Sequence, residues 1–264
     1  MTADHQTLLI RRHDDHIVVV TMNRPEAANA LNTEMGRDLM NWFETIALDP
    51  GDTRCIVLIG AGDKAFCAGG DLKERKGMTD EAWTRQHVVF ERMLRAIMAC
   101  PVPIVGAVNG VAYGGGTEIA AACDFLYAAE HARFALTEVT LGILPGCGGT
   151  QNLPRAIGER RAKELIFTGR PFTAADGLAW GLVNRVLPAA DLMNEALATA
   201  AVIARNAPIS VRQAKQAIHG GLQMSLADGL AFEIEAYNRT IPTEDRREGI
   251  LAFNEKRRPV FRGR

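Results

Sequence analysis

Two isolated glutamates stand in apolar segments and could exchange protons with a ligand. Glu118 lies in the small, apolar stretch 116–122, and Glu138 lies in the mostly apolar stretch 134–139. A carboxyl group in such a setting either faces solvent or is buried for a reason, and one taken singly more often faces solvent. Two carboxyl groups with different pKa values can share general acid and general base work. Adding water to an activated double bond is one reaction that needs both.

Two glycine-rich loops follow apolar strand-like segments and could hold a ligand close to the backbone. The first is Phe66 to Asp71, and the second is Tyr113 to Glu118 at the start of a predicted helix. Glycine allows close approach of a ligand, and a helix N-terminus presents unpaired N–H groups. Two such N–H groups aimed at one point would form an oxyanion hole. The alternative is that these glycines only make turns or allow close helix packing.

A competing nucleotide-binding pattern occurs at Gly60 to Ala65, which fits the loose motif GxGxxG/A after a strand. No helix opens at these glycines, because the chain runs on to Gly70 through two further glycines. No strand is followed by GxxxxGK[ST]. We therefore expect neither a dinucleotide site nor a P-loop.

The elements that must position these residues alternate between strands and helices. Continuous apolar segments predict buried strands, and apolar residues at spacings of three and four predict amphipathic helices. A loop is predicted over Gly60 to Asp71. The predicted strands are Ile17 to Met22, Cys55 to Ile59, Ile104 to Val108 and Asp124 to Ala128, and the helices are Asn32 to Ala47, Asp80 to Met98 and Thr117 to Cys123. This alternation indicates an α/β fold.

The last third of the chain has a different pattern. From about Asp191 to Lys256 only helical patterns occur; Pro208 opens one helix, and Thr243 caps another. A run of helices after an α/β run suggests an appended module. We therefore predict a core with the active site over residues 1–190 and a C-terminal helical module over residues 191–264.

Composition excludes several classes of protein. The 264 residues are 47% hydrophobic and 23% charged, which is typical of a folded globular protein. The formal net charge is −1, so no overall field favours nucleic acid or an anionic membrane. We expect neither as a partner.

The cysteines and the N-terminus bear on the compartment. The five cysteines are widely spaced with no CxxC, which predicts neither disulfides nor a metal site, but small buried side chains: Cys55, Cys67, Cys100, Cys123 and Cys147. The N-terminus has no signal-peptide core, and no apolar stretch reaches the roughly 18 residues that span a bilayer. A cytoplasmic location is predicted.

Several short motifs, taken as a set, carry a family resemblance. Their order and spacing resemble the crotonase (enoyl-CoA hydratase/isomerase) superfamily, and the resemblance covers nearly the whole chain. The motifs are Asn23-Arg24-Pro25, Phe66 to Asp71, Ala107 to Gly110, Gly114 to Gly116, Glu118, Glu138, Gly142 to Thr150 and the ending Ala252 to Arg257. The resemblance implies a spiral of ββα turns with a C-terminal helical trimerisation module. It also implies a homotrimer or a homohexamer built as a dimer of trimers.

The resemblance also implies a ligand and residue roles. The ligand would be a coenzyme A thioester, which is substrate, and no separate cofactor is implied. Backbone N–H groups of Ala68 and Gly115 would bind the thioester oxygen. Glu118 would help deprotonate a water, and Glu138 would protonate the α-carbon. Other implied contacts with the acyl-CoA are those of Ala68, Gly69, Gly70, Asp71 and Gly115 and, from a neighbouring subunit, Phe253 and Lys256.

The sequence leaves the reaction partly open. The first hypothesis is hydration of a 2-enoyl-CoA, because both glutamates are present. The second is another reaction on the same scaffold, such as isomerisation or a carnitinyl-CoA-type dehydration. The stretch 241–249 resembles the branch with methylglutaconyl-CoA hydratases. The third is a non-catalytic binding protein, for instance one for RNA. The acyl pocket would be shaped by the loop after Asp71 and the helix from Asp80, whose sequence does not reveal acyl specificity.

Overall fold

The computed structural model of the protein describes residues 5–264. Ten strands form two sheets. The strands are β1 Leu8–Arg12, β2 Ile17–Met22, β3 Cys55–Gly60, β4 Ala65–Cys67, β5 Ile104–Val108, β6 Val111–Tyr113, β7 Phe125–Ala129, β8 Arg133–Ala135, β9 Phe172–Thr173 and β10 Arg185–Leu187.

The larger sheet has the strand order β1-β2-β3-β5-β7-β10. Only β1 and β2 are antiparallel, and the other neighbours run parallel. The central strands β3 and β5 are almost completely buried, as expected for a parallel sheet covered on both faces. Their continuous β-branched and small residues fit this setting because no face needs polar side chains.

The smaller sheet has the order β4-β6-β8-β9 and consists of two- and three-residue strands. Successive pairs along the chain place one strand in each sheet: β3 and β4, then β5 and β6, then β7 and β8. Helices follow each pair. This repetition is a spiral of ββα turns, so the predicted crotonase-type α/β fold is confirmed.

Eleven α-helices occur in the described part of the chain. Those of the spiral are α1 Thr33–Leu48, α2 Leu72–Arg75, α3 Asp80–Ala99, α4 Gly115–Ala122, α5 Gly149–Ile157, α6 Glu159–Thr168 and α7 Ala174–Trp180. Those that follow are α8 Leu192–Ala204, α9 Pro208–Gly221, α10 Leu226–Asn238 and α11 Glu244–Asn254. Side-chain caps begin several of them; Asn32 caps α1 and Thr79 caps α3.

Helix α8 differs from the three helices after it. Its buried residues Leu192, Ala196 and Ala200 pack on β3, β5 and β7 of the larger sheet. By contrast, α9, α10 and α11 carry many exposed apolar side chains. We call these residues the C-terminal apolar surface: Ile218, Leu222, Leu226, Leu230, Ile234, Tyr237, Ile250, Leu251 and Phe253. The proposed boundary at residue 190 stays a prediction; within one chain, α8 packs as part of the spiral.

The predicted elements shift in a few places. The segment predicted as a loop over Gly60 to Asp71 contains β4, and α4 begins two residues before the predicted Thr117. The strand expected at Asp124 to Ala128 is displaced by one residue in β7. The described residues include no helix that is both long and apolar enough to cross a bilayer.

Candidate active site

Helix α4 is fixed to the smaller sheet at its first turn. Gly114, at φ 49°, precedes it in a conformation that side chains disfavour. The Thr117 hydroxyl lies 2.6 Å from the carbonyl oxygen of Ala112 and 2.9 Å from that of Ala135. A Cβ on Gly116 would collide with the carbonyl oxygen of Cys67. The first turn of α4 therefore sits directly against the end of β4.

Glu118 is held inside the protein by backbone donors. Its side chain is on the buried face of α4, and the residue is 3% exposed. Oε1 accepts hydrogen bonds from the N–H of Cys147 at 2.7 Å and of Gly149 at 2.8 Å. Burial raises the pKa of Glu118 to about 7, and the charge of Glu138 adds to this, although the two N–H donors oppose it. Glu118 can therefore gain or lose a proton near neutral pH.

Glu138 begins a 3₁₀ turn, Glu138–Leu141, which two residues separate from the end of β8. Its Oε2 is buried and has no hydrogen-bond partner within residues 5–264. Desolvation raises the pKa of Glu138, while a hydrogen bond from its own N–H and the charge of Arg75 lower it. A buried oxygen without a partner is costly, so Oε2 is available to a hydrogen-bond donor that enters the cavity.

Both carboxyl groups line one cavity of about 520 Å³. Four of the other residues predicted to contact the acyl-CoA also line it: Ala68, Gly69, Gly70 and Gly115. Residues of both loops and of α3 form its wall, with apolar side chains from the segment after Glu138: Leu31, Ala68, Gly69, Gly70, Leu72, Arg75, Trp83, Thr84, His87, Phe90, Gly114, Gly115, Thr137, Leu141, Ile143, Leu144, Gly146 and Cys147. Carboxyl groups and helix N–H groups thus face a largely apolar space.

The two predicted oxyanion donors are in different states. Gly115 is the first residue of α4, where N–H groups lack partners within the helix. No acceptor for its N–H occurs in the described range 5–264. The N–H of Ala68 donates to the carbonyl oxygen of Ala28 at 3.1 Å. A ligand oxygen would have to share the N–H of Ala68 with the carbonyl oxygen of Ala28. It could accept a hydrogen bond from the N–H of Gly115 without such competition.

The Asp71 side chain makes its contacts within the protein. Its carboxylate pairs with Arg24 at 2.9 Å and accepts from the N–H groups of Lys73 and Glu74. Burial opposes ionisation, but Arg24 and these two donors together lower the pKa of Asp71. A contact between Asp71 and the substrate stays a prediction.

The loop before α1 supports the first glycine loop. Asn29 is fully buried, and its amide donates to the carbonyl oxygens of Ala61 and Ala65 at 2.9 and 2.8 Å. The N–H of Leu31 donates to Gly69 at 2.7 Å. These bonds fix the backbone around Ala68.

Phe253 and Lys256 lie away from this cavity within one chain. Phe253 is 82% exposed on α11, and Lys256 is exposed just after it. The structure of a single chain does not bring either residue to the glutamates. Their contact with a neighbouring subunit's ligand stays a prediction.

Arg75 is a cavity residue that sequence reasoning missed. Its guanidinium lies over the Trp83 ring, with Cζ 4.3 Å from the ring centroid. The sequence offered one signal, a basic residue four positions after Asp71, but the close approach to α3 depends on the tertiary fold. The site therefore contains a cation in addition to the two carboxyl groups.

Other possible reactive groups are few. Four of the five cysteines are buried and Cys123 is half-buried, and all five are free, which confirms the prediction of small buried side chains. Within residues 5–264, no group of three or more His, Cys, Asp or Glu side chains could hold a metal ion.

Comparison with known proteins gives consistent matches over almost the whole chain. A family model described as enoyl-CoA hydratase/isomerase matches residues 12–264. YngF of Bacillus subtilis, which carries the same family description, is 48% identical over 97% of this chain and 98% of its own. The short-chain-enoyl-CoA hydratase of Clostridium acetobutylicum is 41% identical over 95% of each chain. A crystal structure of enoyl-CoA hydratase from Bacillus anthracis matches with a TM-score of 0.96 and 45% identity, over 98% of this chain and all of that one.

Proposed function

Because this chain belongs to the enoyl-CoA hydratase/isomerase family, we propose that it hydrates a 2-enoyl-CoA thioester to a 3-hydroxyacyl-CoA. The observation that carries this proposal is the pair of buried carboxyl groups, Glu118 and Glu138, on one cavity beside the N–H of Gly115. Relatives named as enoyl-CoA hydratases support the reaction class.

The thioester oxygen would bind at the start of α4. As water attacks the β-carbon, negative charge moves through the former double bond onto the thioester oxygen. The N–H groups of Gly115 and Ala68 would together stabilise this charge. Losing one such donor typically costs about 10²–10³ in rate.

The two glutamates would then divide the proton transfers. Glu118 in its ionised form takes a proton from the water as the C–O bond forms, and Glu138 delivers a proton to the α-carbon. Both pKa values are raised, which lets the pair hold one proton near neutral pH. Because the groups interact, the proton belongs to the pair rather than to one residue. Solvent restores the starting state after product leaves.

We further propose that the chain forms a homotrimer or a homohexamer. The C-terminal apolar surface supports this, because its nine large apolar side chains are exposed in the single chain. A neighbouring subunit would then bring Phe253 and Lys256 to the coenzyme A part of the ligand. A cytoplasmic location agrees with five free cysteines.

The proposed reaction is tested by incubating the purified protein with crotonyl-CoA and following the loss of enoyl absorbance. We expect 3-hydroxybutyryl-CoA as product. A product with only a shifted double bond would indicate the isomerase alternative, and no conversion of any enoyl-CoA would refute the proposal. Glu130→Gln, at an exposed position remote from the cavity lining, is the matched control for glutamate substitutions.

A further inference from the structure

A second cavity lies between α9 and the C-terminal ends of α1 and α3. Its volume is about 760 Å³, and it shares no lining residue with the cavity that holds Glu118 and Glu138. Within residues 5–264 its lining contains no aspartate or glutamate, but three basic side chains: Arg212, Lys215 and His219. A concave space of this size accommodates a small organic molecule, and its lining favours a negatively charged one.

Helix α9 turns its basic side toward this cavity. Arg212, Lys215 and His219 follow one another at spacings of three and four, which places them on one side of the helix. None of the nine residues of the C-terminal apolar surface lines the cavity. A helix that packs on its own core normally turns an apolar side inward. The basic side of α9 is therefore explained neither by core packing nor by the proposed oligomer surface.

Arg212 brings an unpaired charge to the cavity. Its Nε donates to the carbonyl oxygen of Pro208 at 3.2 Å. In the described part of the chain, its two terminal nitrogens have no hydrogen-bond partner and no carboxylate within 4.0 Å. The residue is half-buried, and burial together with the charge of Arg54 lowers the pKa of Arg212. Arginine nevertheless stays charged at neutral pH, and a half-buried charge without a partner is costly.

The acid beside α9 does not neutralise Arg212. Oδ2 of Asp124 accepts from Nζ of Lys215 at 2.7 Å and from the N–H of Ile104 at 2.7 Å. Lys215 also donates to the carbonyl oxygen of Val102, shortly after α3, at 2.9 Å. Basic residues are often explained by the negative end of a helix, but this explanation serves Lys215 and not Arg212. One of the three ammonium donors of Lys215 stays available.

Other parts of the lining are apolar and suit an organic group. Met98 and Pro101 line the cavity near the end of α3, and the Phe232 ring lines it from α10. The ring lies against Gly220, where a Cβ would come within 2.8 Å of Cε1 of Phe232. Residue 220 therefore leaves the ring its place because it has no side chain. A planar group of a ligand could pack on these aromatic and aliphatic surfaces.

We propose that this cavity is a second ligand site, which binds the phosphate group of a small organic phosphate. A phosphate offers three oxygens to the guanidinium fork of Arg212, the remaining donor of Lys215 and the imidazole of His219. The organic part would lie against Phe232. Because the site shares no residue with the cavity of the two glutamates, it does not depend on the proposed hydration.

The test measures binding of adenosine monophosphate, adenosine and inorganic phosphate to the full chain by calorimetry. We expect adenosine monophosphate to bind with a Kd of about 100 µM or lower, and adenosine to bind at least about tenfold more weakly because it lacks the phosphate. Arg212→Gln should weaken binding of adenosine monophosphate about ten- to a hundredfold, the range that charge-assisted hydrogen bonds supply, and Arg212→Lys should weaken it less.

Two further variants sharpen the test. Gly220→Ala displaces the Phe232 ring, so it should weaken binding of adenosine monophosphate and leave that of inorganic phosphate unchanged. Arg205→Gln, at an exposed arginine just after α8 and outside the lining, is the matched control for charge and should bind as wild type does.

Other results would overturn the proposal. These are the absence of binding of both phosphate probes, and equal affinities of wild type and Arg212→Gln for adenosine monophosphate. Hydrogen exchange locates the ligand: protection of α9 and the end of α3 supports the site, and protection confined to the two glycine loops contradicts it. A lower mass of Arg212→Gln in light scattering would mean that this side of α9 contacts a second copy of the chain, which also contradicts the proposal.

Discussion

The cavity that holds Glu118 and Glu138 and the C-terminal apolar surface depart from the usual distribution of side chains in opposite ways. In the cavity, carboxyl groups lie in a desolvated space; Glu138 has a buried oxygen without a partner. On α9 to α11, large apolar side chains face solvent instead. Each arrangement is unfavourable in an isolated chain. This contrast supports the two proposals made above, that a ligand completes the first region and that a second copy of the chain completes the second.

Removing either carboxyl group should have the largest effect. Glutamine keeps the shape of the side chain but cannot exchange the proton, so we expect Glu118→Gln and Glu138→Gln each to lower kcat about 10²–10⁴-fold. Steady-state hydration of crotonyl-CoA measures this. Calorimetry with butyryl-CoA should show that ligand binding survives. Unchanged turnover in either variant, with Glu130→Gln as the reference, would remove that residue from the mechanism.

Glutamates introduced into the C-terminal apolar surface should dissociate the proposed oligomer and leave the cavity intact. Leu222 directly follows α9 and Leu226 begins α10, and both side chains are largely exposed. We expect Leu222→Glu with Leu226→Glu to convert a trimer or hexamer into a monomer, because the interface would bury two unpaired charges. Light scattering gives the mass. Leu48→Glu, at an exposed leucine ending α1, should leave the mass unchanged; an intact oligomer in the double variant contradicts the assignment of this surface.

The close packing that builds the cavity can be tested at adjacent glycines. Alanine at Gly116 would clash with the backbone of Cys67, and we expect a loss of at least about 3 kcal/mol in unfolding free energy. Alanine at Gly115 would meet only a Leu31 methyl group at 3.5 Å, so its cost should be much smaller. Thermal unfolding compares the two. Equal losses of unfolding free energy would mean that the contact between α4 and β4 does not restrict residue 116 to glycine.

Sequence patterns predict best those elements whose structure depends mainly on residues close together in the sequence. Helices α1 and α3 follow from the spacing of their apolar residues. The short strands of the smaller sheet carry too few residues for such a pattern, so the sequence predicts a loop where the structure has β4. The family motifs located both glutamates. The N–H groups that donate to Glu118 belong to Cys147 and Gly149, which lie 29 and 31 positions further along the chain. Local sequence patterns do not encode this proximity.

Burial of the Glu118 carboxyl should also lower the free energy of unfolding at high pH. The pKa of Glu118 is raised from its usual 4.5 to about 7, so the folded protein binds more protons than the unfolded chain between these values. The contribution of Glu118 to the free energy of unfolding therefore falls as pH rises from about 4.5 to about 7. Relative to wild type, Glu118→Gln should gain up to about 3 kcal/mol between pH 4.5 and pH 8. Chemical unfolding at both pH values measures the change; a constant difference would contradict the raised pKa.

We propose that Glu118 and Glu138 act as one unit in the addition of one water molecule to the double bond. The most direct measurement is kcat for crotonyl-CoA hydration by the double variant Glu118→Gln with Glu138→Gln, compared with each single variant. Residues that act together are not additive, so we predict that the double variant is within about threefold of the slower single variant. A loss equal to the product of the two single losses would show that the glutamates act independently, and would contradict the account.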